Sequence, residues 1–501
     1  MANEREKMTR QTGHKVRTRG PGEMRGLSSM AGGLLIVMAT LATGGWLILN
    51  RWYSISRNWD TEFFAFEKIR GVDGAPVLSP ELRWTAVIFL LFGLLYAIGW
   101  RLIAHLREIT LSAKIGIVLA GLGPGLVNVS LFPVGALDIF RYMRALKQFL
   151  YYDENPYLVG FSSHKEDPFL VHGFLLGLPN AKGPAWLLLS SIPAKLAGFD
   201  EPIRMIVTLK LYNLLLIGLT AWLASQFFTA PAHRWLAFFA VWANPLMLFE
   251  GVGNAHNDVM IALFTVAALL ALKRGSWLAL PALTFSVLVK YFTLQLGPLF
   301  LLVMFARKWR WRTVAVSIAG SLVVAAICIL PFWSDGKMVD GIGDVGDAYN
   351  HSSHVSIISL VRQYRIRGLT QTEARPFGSH QLLFAGICAV AALPFLWRAR
   401  RGKHVEQTAI DLTLLFLLLL SLLYPWYLIT VIALLALRRN RFDAGYLFIA
   451  TTLGLLYYPA YVWAWHGSGY DRLTRHLFLA MFLTMPIFAY WLVRFGAWVR
   501  R

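Results

Sequence analysis

Apolar runs long enough to cross a bilayer recur from residue 29 to the C-terminus, separated by short polar segments. A spanning helix needs about 20 apolar residues. On that measure the pattern predicts helices over roughly 29–49, 85–104 and 115–134. After a long polar stretch it resumes over roughly 205–227, 235–251, 257–273, 277–289, 292–306 and 313–332. The last five fall over roughly 380–397, 408–424, 426–437, 444–461 and 477–496. Some of these are short, 277–289 and 426–437 above all, so the expectation is an all-α polytopic bundle of about 12–14 spans. A further apolar piece, Pro184 to Leu196, is short, contains Pro193, and reads as re-entrant or interfacial. Residues 1–28 read as a basic tail and 29–501 as one integral membrane domain.

Charge distribution orients this pattern. The formal net charge is +21, yet charged residues make up only 15% of a chain that is 57% hydrophobic. The basic residues cluster between apolar runs: Arg307, Lys308, Arg310 and Arg312; Arg398, Arg400, Arg401 and Lys403; Arg438, Arg439 and Arg441. That distribution fits cytoplasmic loops and anionic lipid, not nucleic acid. It places both termini in the cytoplasm and residues 138–204 outside, in a cell (plasma or inner) membrane. The two cysteines, Cys328 and Cys388, lie inside apolar runs, so neither a disulfide framework nor a cysteine metal site is expected.

Polar motifs interrupt the apolar runs on the outer side. The first is Asp138-Ile139-Phe140-Arg141-Tyr142, at the end of the third run. In a helix, Asp138, Arg141 and Tyr142 share a face. A carboxylate there serves as a general base if it reaches a substrate hydroxyl, or as a helix N-cap paired with Arg141 or Tyr142. Asn155-Pro156-Tyr157 reads as a turn. Lys182-Gly183-Pro184 offers an interfacial cation, snorkelling or facing a phosphate. Glu250, Asn254, His256, Asn257 and Asp258 crowd a hairpin tip, and Glu250 sits within the apolar run itself. Lys290 places a second cation at a helix end, and Tyr424-Pro425-Trp426-Tyr427 reads as an aromatic belt with a helix-breaking proline.

In this order the motifs resemble the GT-C superfamily of multi-pass glycosyltransferases, and within it bacterial polyprenyl-phosphate-mannose-dependent (GT87-like) mannosyltransferases. The resemblance runs over about residues 85–440. It implies transfer of a hexose, mannose for preference, from a polyprenyl-phosphate donor to a glycan, glycolipid or other cell-envelope acceptor on the extracytoplasmic face. An inverting displacement needs one base and no nucleotide cofactor. The resemblance assigns that role to Asp138, with Asp60 as rival because many relatives carry the acidic residue in the first outside loop. It implies donor-phosphate contacts from Lys290, Arg141 and His256, and sugar or acceptor contacts from Glu250, Asn254, Asp258 and Tyr142. No metal ligand is assigned, although the acidic loops leave room for a divalent cation. The partners expected are the lipid donor, the bilayer and the acceptor. A transporter or flippase of lipid-linked saccharides would instead line a path across the membrane. An O-antigen polymerase or ligase would carry an arginine-rich outside loop, as Arg362, Arg365 and Arg367 do.

Overall fold

A computed structural model describes residues 21–59, 80–106, 108–172, 176–336, 338, 378–420, 423–466, 468–470 and 472–499. Asp60 and the arginines 362, 365 and 367 lie outside the described residues. The helices are α1 (Pro21–Tyr53), α2 (Pro80–His105), α3 (Leu111–Val129), α4 (Asp138–Leu150), α5 (Pro184–Ala197), α6 (Pro202–Ser225), α7 (Pro231–Trp242) and α8 (Pro245–Gly253). They continue with α9 (Asp258–Arg274), α10 (Ala279–Val289), α11 (Gly297–Ala306), α12 (Trp311–Ile329), α13 (Gly378–Ala399), α14 (Val405–Leu419), α15 (Leu428–Leu435), α16 (Arg441–His466) and α17 (Arg472–Val499). The only extended pairing among the described residues is one bridge, Ser54 to Leu131. The protein is an all-α polytopic membrane protein.

Among the described residues, seven helices are long and apolar enough to cross a membrane: α1, α2, α3, α6, α12, α16 and α17. The bent pair α7 and α8, which meet at 44°, makes an eighth. The remaining expected spans are shorter helices, among them α10 and the pieces Tyr291–Ala306 and Pro425–Leu435. Hydropathy alone does not separate a buried apolar helix from a spanning one. α9 illustrates this, being apolar almost all round and buried along most of its length inside the bundle. At the periphery, α12 turns Val316, Leu322, Val323 and Ile327 outward, as a helix solvated by lipid does.

Local chemistry sets the breaks. Pro184, Pro202, Pro231 and Pro245 each open a helix, where a missing N–H costs nothing. Asn244 caps α8 by accepting from the Leu246 and Met247 N–H groups, which splits α7 from α8. Gly275, at φ 70°, closes α9. The expected interfacial piece is α5, which buries Trp186 and Leu187 and exposes Ile192 and Leu196.

One end of the bundle is tied by buried carboxylates. Asp411 on α14 accepts from Arg398 of α13 at 2.5 Å, from Arg494 of α17 at 3.3 Å and from Gln407 at 3.1 Å. Asp443 on α16 accepts from Arg438 at 2.6 Å and from the Tyr490 hydroxyl of α17 at 2.7 Å. Removing the buried acceptor takes a partner from buried Gln407 and from two partly exposed arginines, at a cost of about 1–3 kcal/mol. Asp411→Ala is therefore expected to lower the unfolding midpoint of the purified protein in detergent by a loss of that size. An unchanged midpoint would show that the network adds nothing to stability.

Candidate active site

The segment from α3 to α4 is held from several sides. The Ile55 N–H donates to the Ser130 carbonyl at 2.9 Å, and the Phe132 N–H donates to the Tyr53 carbonyl at 2.7 Å. The Gly135 N–H donates to the Asn254 side-chain oxygen at 3.0 Å. Leu137 precedes α4 without a side-chain cap, so Asp138 is the first helical residue and not the cap itself. Its carboxylate then meets the positive end of the α4 dipole. α4 is strongly amphipathic and seats Ile139, Phe140, Met143 and Leu146 inward. Lys147 near its far end is locked by Asp167 at 2.8 Å.

Asp138 faces two groups from distant parts of the chain. Lys182 Nζ lies 3.6 Å from Oδ1, and His256 Nδ1 lies 3.7 Å from Oδ2. The other imidazole nitrogen, Nε2, lies 3.5 Å from Glu250 Oε2. Asp138, His256 and Glu250 thus form a carboxyl–imidazole–carboxyl series. Glu250 is fully buried; Asn254 donates to it at 2.9 Å and the Tyr458 hydroxyl of α16 at 2.6 Å. The π-helical turn Phe249–Gly253 carries Glu250, and such turns frequently mark functional sites. Ala255 follows at φ 56°, a strained value for a residue with a Cβ, and turns the chain so that His256 can reach Asp138.

Two lysines flank the series. Lys182 is carried by a segment that runs against the end of α10, where the Gly183 N–H donates to the Val289 carbonyl at 3.0 Å. A Cβ on Gly183 would stand 2.0 Å from the Leu288 carbonyl oxygen, so only glycine permits this approach. The next residue after Val289 is Lys290, which pairs with Asp258 at 3.2 Å and lies 4.1 Å above the Tyr427 ring. Lys182 lies 5.3 Å from the Tyr142 ring centroid, and the Tyr142 hydroxyl donates to Asn257 Oδ1 at 3.1 Å.

These contacts fix the electrostatics of Asp138. Burial resists its ionisation, but the positive fields of Lys182, Arg141 and Lys290 outweigh burial. The carboxyl is held below its ordinary value of 3.8. It is therefore a carboxylate at neutral pH, and its side chain keeps 13% of its surface exposed.

The structure brings together Asp138, Tyr142, Glu250, Asn254, His256, Asp258 and Lys290. Arg141 donates to the Pro179 carbonyl at 3.2 Å and adds its field. Glu250, Asn254, His256 and Asp258 have no exposed surface, so in this state they back the site without forming its wall. Trp426 departs from the belt reading. It is buried and stacks on His256 at 4.1 Å, with Tyr424 stacked on its other side at 4.1 Å. Tyr458 carried no sequence signal, since an isolated tyrosine in an apolar run looks like packing. Among the described residues, no group of three or more His, Cys, Asp or Glu could hold a metal ion.

The family model described as MptA_B family, alpha-(1->6)-mannopyranosyltransferase, N-terminal domain, matches residues 75–334. That span takes in α2 to α12 and every site residue named here except Tyr424, Trp426, Tyr427 and Tyr458. No curated protein matches the chain significantly.

The Gly183 approach is open to test. Gly183→Ala must push α10 away from Lys182, and overpacking of this kind costs about 1–3 kcal/mol. The expected result is a lower unfolding midpoint in detergent. A variant as stable as the wild type would mean that the segment before α5 and the end of α10 are not in close contact.

Proposed function

The chain belongs to the MptA_B family of alpha-(1->6)-mannopyranosyltransferases, and from that premise we propose a GT-C-type reaction at Asp138. Mannose passes from a polyprenyl-phosphate donor to a hydroxyl of a cell-envelope glycan or glycolipid, on the extracytoplasmic face and with inversion. The observation that carries this reading is the convergence on Asp138 of Lys182 and the His256–Glu250 pair, with Lys290 held on Asp258 close enough to add its field.

In the proposed step, Asp138 accepts the acceptor hydroxyl proton as the hydroxyl oxygen attacks the anomeric carbon. The bond from that carbon to the donor phosphate oxygen breaks, and its electron pair leaves with the polyprenyl phosphate. Lys182 and Lys290 stand where they can neutralise the growing charge on that phosphate. Fixed donors of this kind are worth about 3 kcal/mol each by mutational example. His256, stacked on Trp426 and backed by Glu250, holds the Asp138 carboxylate in place. A lipid-tailed donor reaches such a site laterally through the bilayer, which accounts for the polytopic scaffold.

Two variants test the assignment. Asp138→Asn keeps the shape and removes the base, so mannosyl transfer from labelled polyprenyl-phosphate-mannose in membranes should fall by about 10²–10⁴-fold. Full activity would move the assignment to Asp60. The second concerns pH. A base held below its ordinary value stays ionised down to that lowered value, and the rate falls only below it. Lys182→Met removes the largest field acting for the charged form, so the acid limb of kcat/KM should move to higher pH. An acid limb that stays in place would detach Lys182 from the base.

A further inference from the structure

α6 carries an ionisable side chain that the proposed reaction does not use. Lys210 sits eight residues inside a helix long and apolar enough to span the membrane, and it has no exposed surface. Lysines near helix ends reach for the interface, but this one points inward. Its amino group donates to the Leu131 carbonyl and, at 3.5 Å, to the Asn128 carbonyl. These carbonyls stand at and just beyond the C-terminal end of α3, the negative end of its dipole. No acidic side chain among the described residues pairs with Lys210. A buried amino group held only by backbone carbonyls is costly to keep, and ionisable groups at such depth mark function more often than packing.

The bonded carbonyls belong to the segment that delivers Asp138. From Leu131 the chain needs only seven residues to reach it. Three residues along the same face of α6, Asn213 donates to the Gly251 carbonyl at 2.8 Å and to the His256 carbonyl at 3.2 Å. One helix face therefore grips both halves of the site: Lys210 holds the Asp138 segment, and Asn213 holds the Glu250–His256 turn. The Gly135–Asn254 bond joins the halves in front of it.

We propose that Lys210 is a positioning residue, which with Asn213 on the same face of α6 sets the register between the segment bearing Asp138 and the turn bearing His256. The proposal rests on Asp138 being the reactive centre. Losing the Lys210 bonds leaves the α3 terminus in place through Tyr53 and Ile55, but lets residues 133–138 shift against His256.

The test needs one readout that does not depend on the reaction. Ala136 is buried within this segment. Ala136→Cys, with Cys328 and Cys388 replaced by alanine, should react slowly with a maleimide in detergent. Adding Lys210→Met should speed labelling by about tenfold or more below the unfolding temperature, as local opening becomes easier. In the native-cysteine background, Lys210→Met should lower kcat for mannosyl transfer by about 100-fold, the cost of a misplacement near 1 Å. The donor KM should stay within about threefold, because positioning acts on the transition state. Lys210→Arg, which keeps a donor, should recover part of the kcat. Should Lys210→Met fail to accumulate, Lys210→Gln carries the same readouts. A folded variant with labelling unchanged, or with kcat unchanged, overturns the proposal. If the wild type itself transfers no mannose from this donor, the functional reading fails, and labelling alone decides the role of Lys210.

Discussion

Glu250 is a carboxyl group with no exposed surface, carried on the turn that follows the α7–α8 break, and the geometry around it depends on its being satisfied. Leaving a buried polar group of this kind without partners would cost about 1–3 kcal/mol, so the chain surrounds it with donors. Asn254 supplies one, four residues on, and Tyr458 supplies another from a helix 208 residues away. Asn254 then uses its oxygen to hold the Gly135 N–H, so satisfying Glu250 also fixes the segment that ends in Asp138. His256 completes the link by standing between the two carboxyl groups. Both imidazole nitrogens are buried without a close hydrogen bond, which leaves them within reach of a small movement of either carboxyl group.

The cations are brought in by a different device. Lys182 and Lys290 lie in sequence far apart, on segments that are adjacent only because Gly183 lacks a side chain. Lys290 spends its charge on Asp258, while Lys182 faces Asp138. The result is a carboxylate whose charge is favoured by its neighbours, with one cation facing it and a second nearby. Such an arrangement suits a reaction in which a proton is taken at one point and negative charge appears at another nearby.

Much of this was legible in the amino-acid pattern, and the remainder has physical reasons for being hidden. Apolar period and length located nearly every helix, because lipid and protein interior impose the same demand on side chains. For the same reason they could not tell α10 or α15, short and buried, from a span. Asp138, Glu250, His256 and Lys290 announced themselves as charges where hydrocarbon was expected. Trp426 and Tyr458 did not, since aromatic residues are ordinary both at a membrane interface and in a core. Lys210 falls between these cases. Its charge was visible in the run 205–227, but its value lies in backbone carbonyls some 80 residues earlier, and only the fold shows which ones.

α16 relates the two polar clusters to the membrane. Asp443, near its start, belongs to the arginine-rich network; Tyr458, fifteen residues later, belongs to the Glu250 site. At 1.5 Å per residue the two stand about 22 Å apart along the helix, close to the ~30 Å depth of a hydrocarbon core. In the proposed reading the clusters sit toward opposite faces of the membrane. Arg398, Arg438 and Arg494 mark the Asp443 face as the one rich in basic residues, and cytoplasmic faces carry that excess. The same asymmetry supports an outward-opening site in the proposed reading. A base and two lysines facing the cytoplasm would have to meet a donor on the side where the chain's own arginines compete for its phosphate.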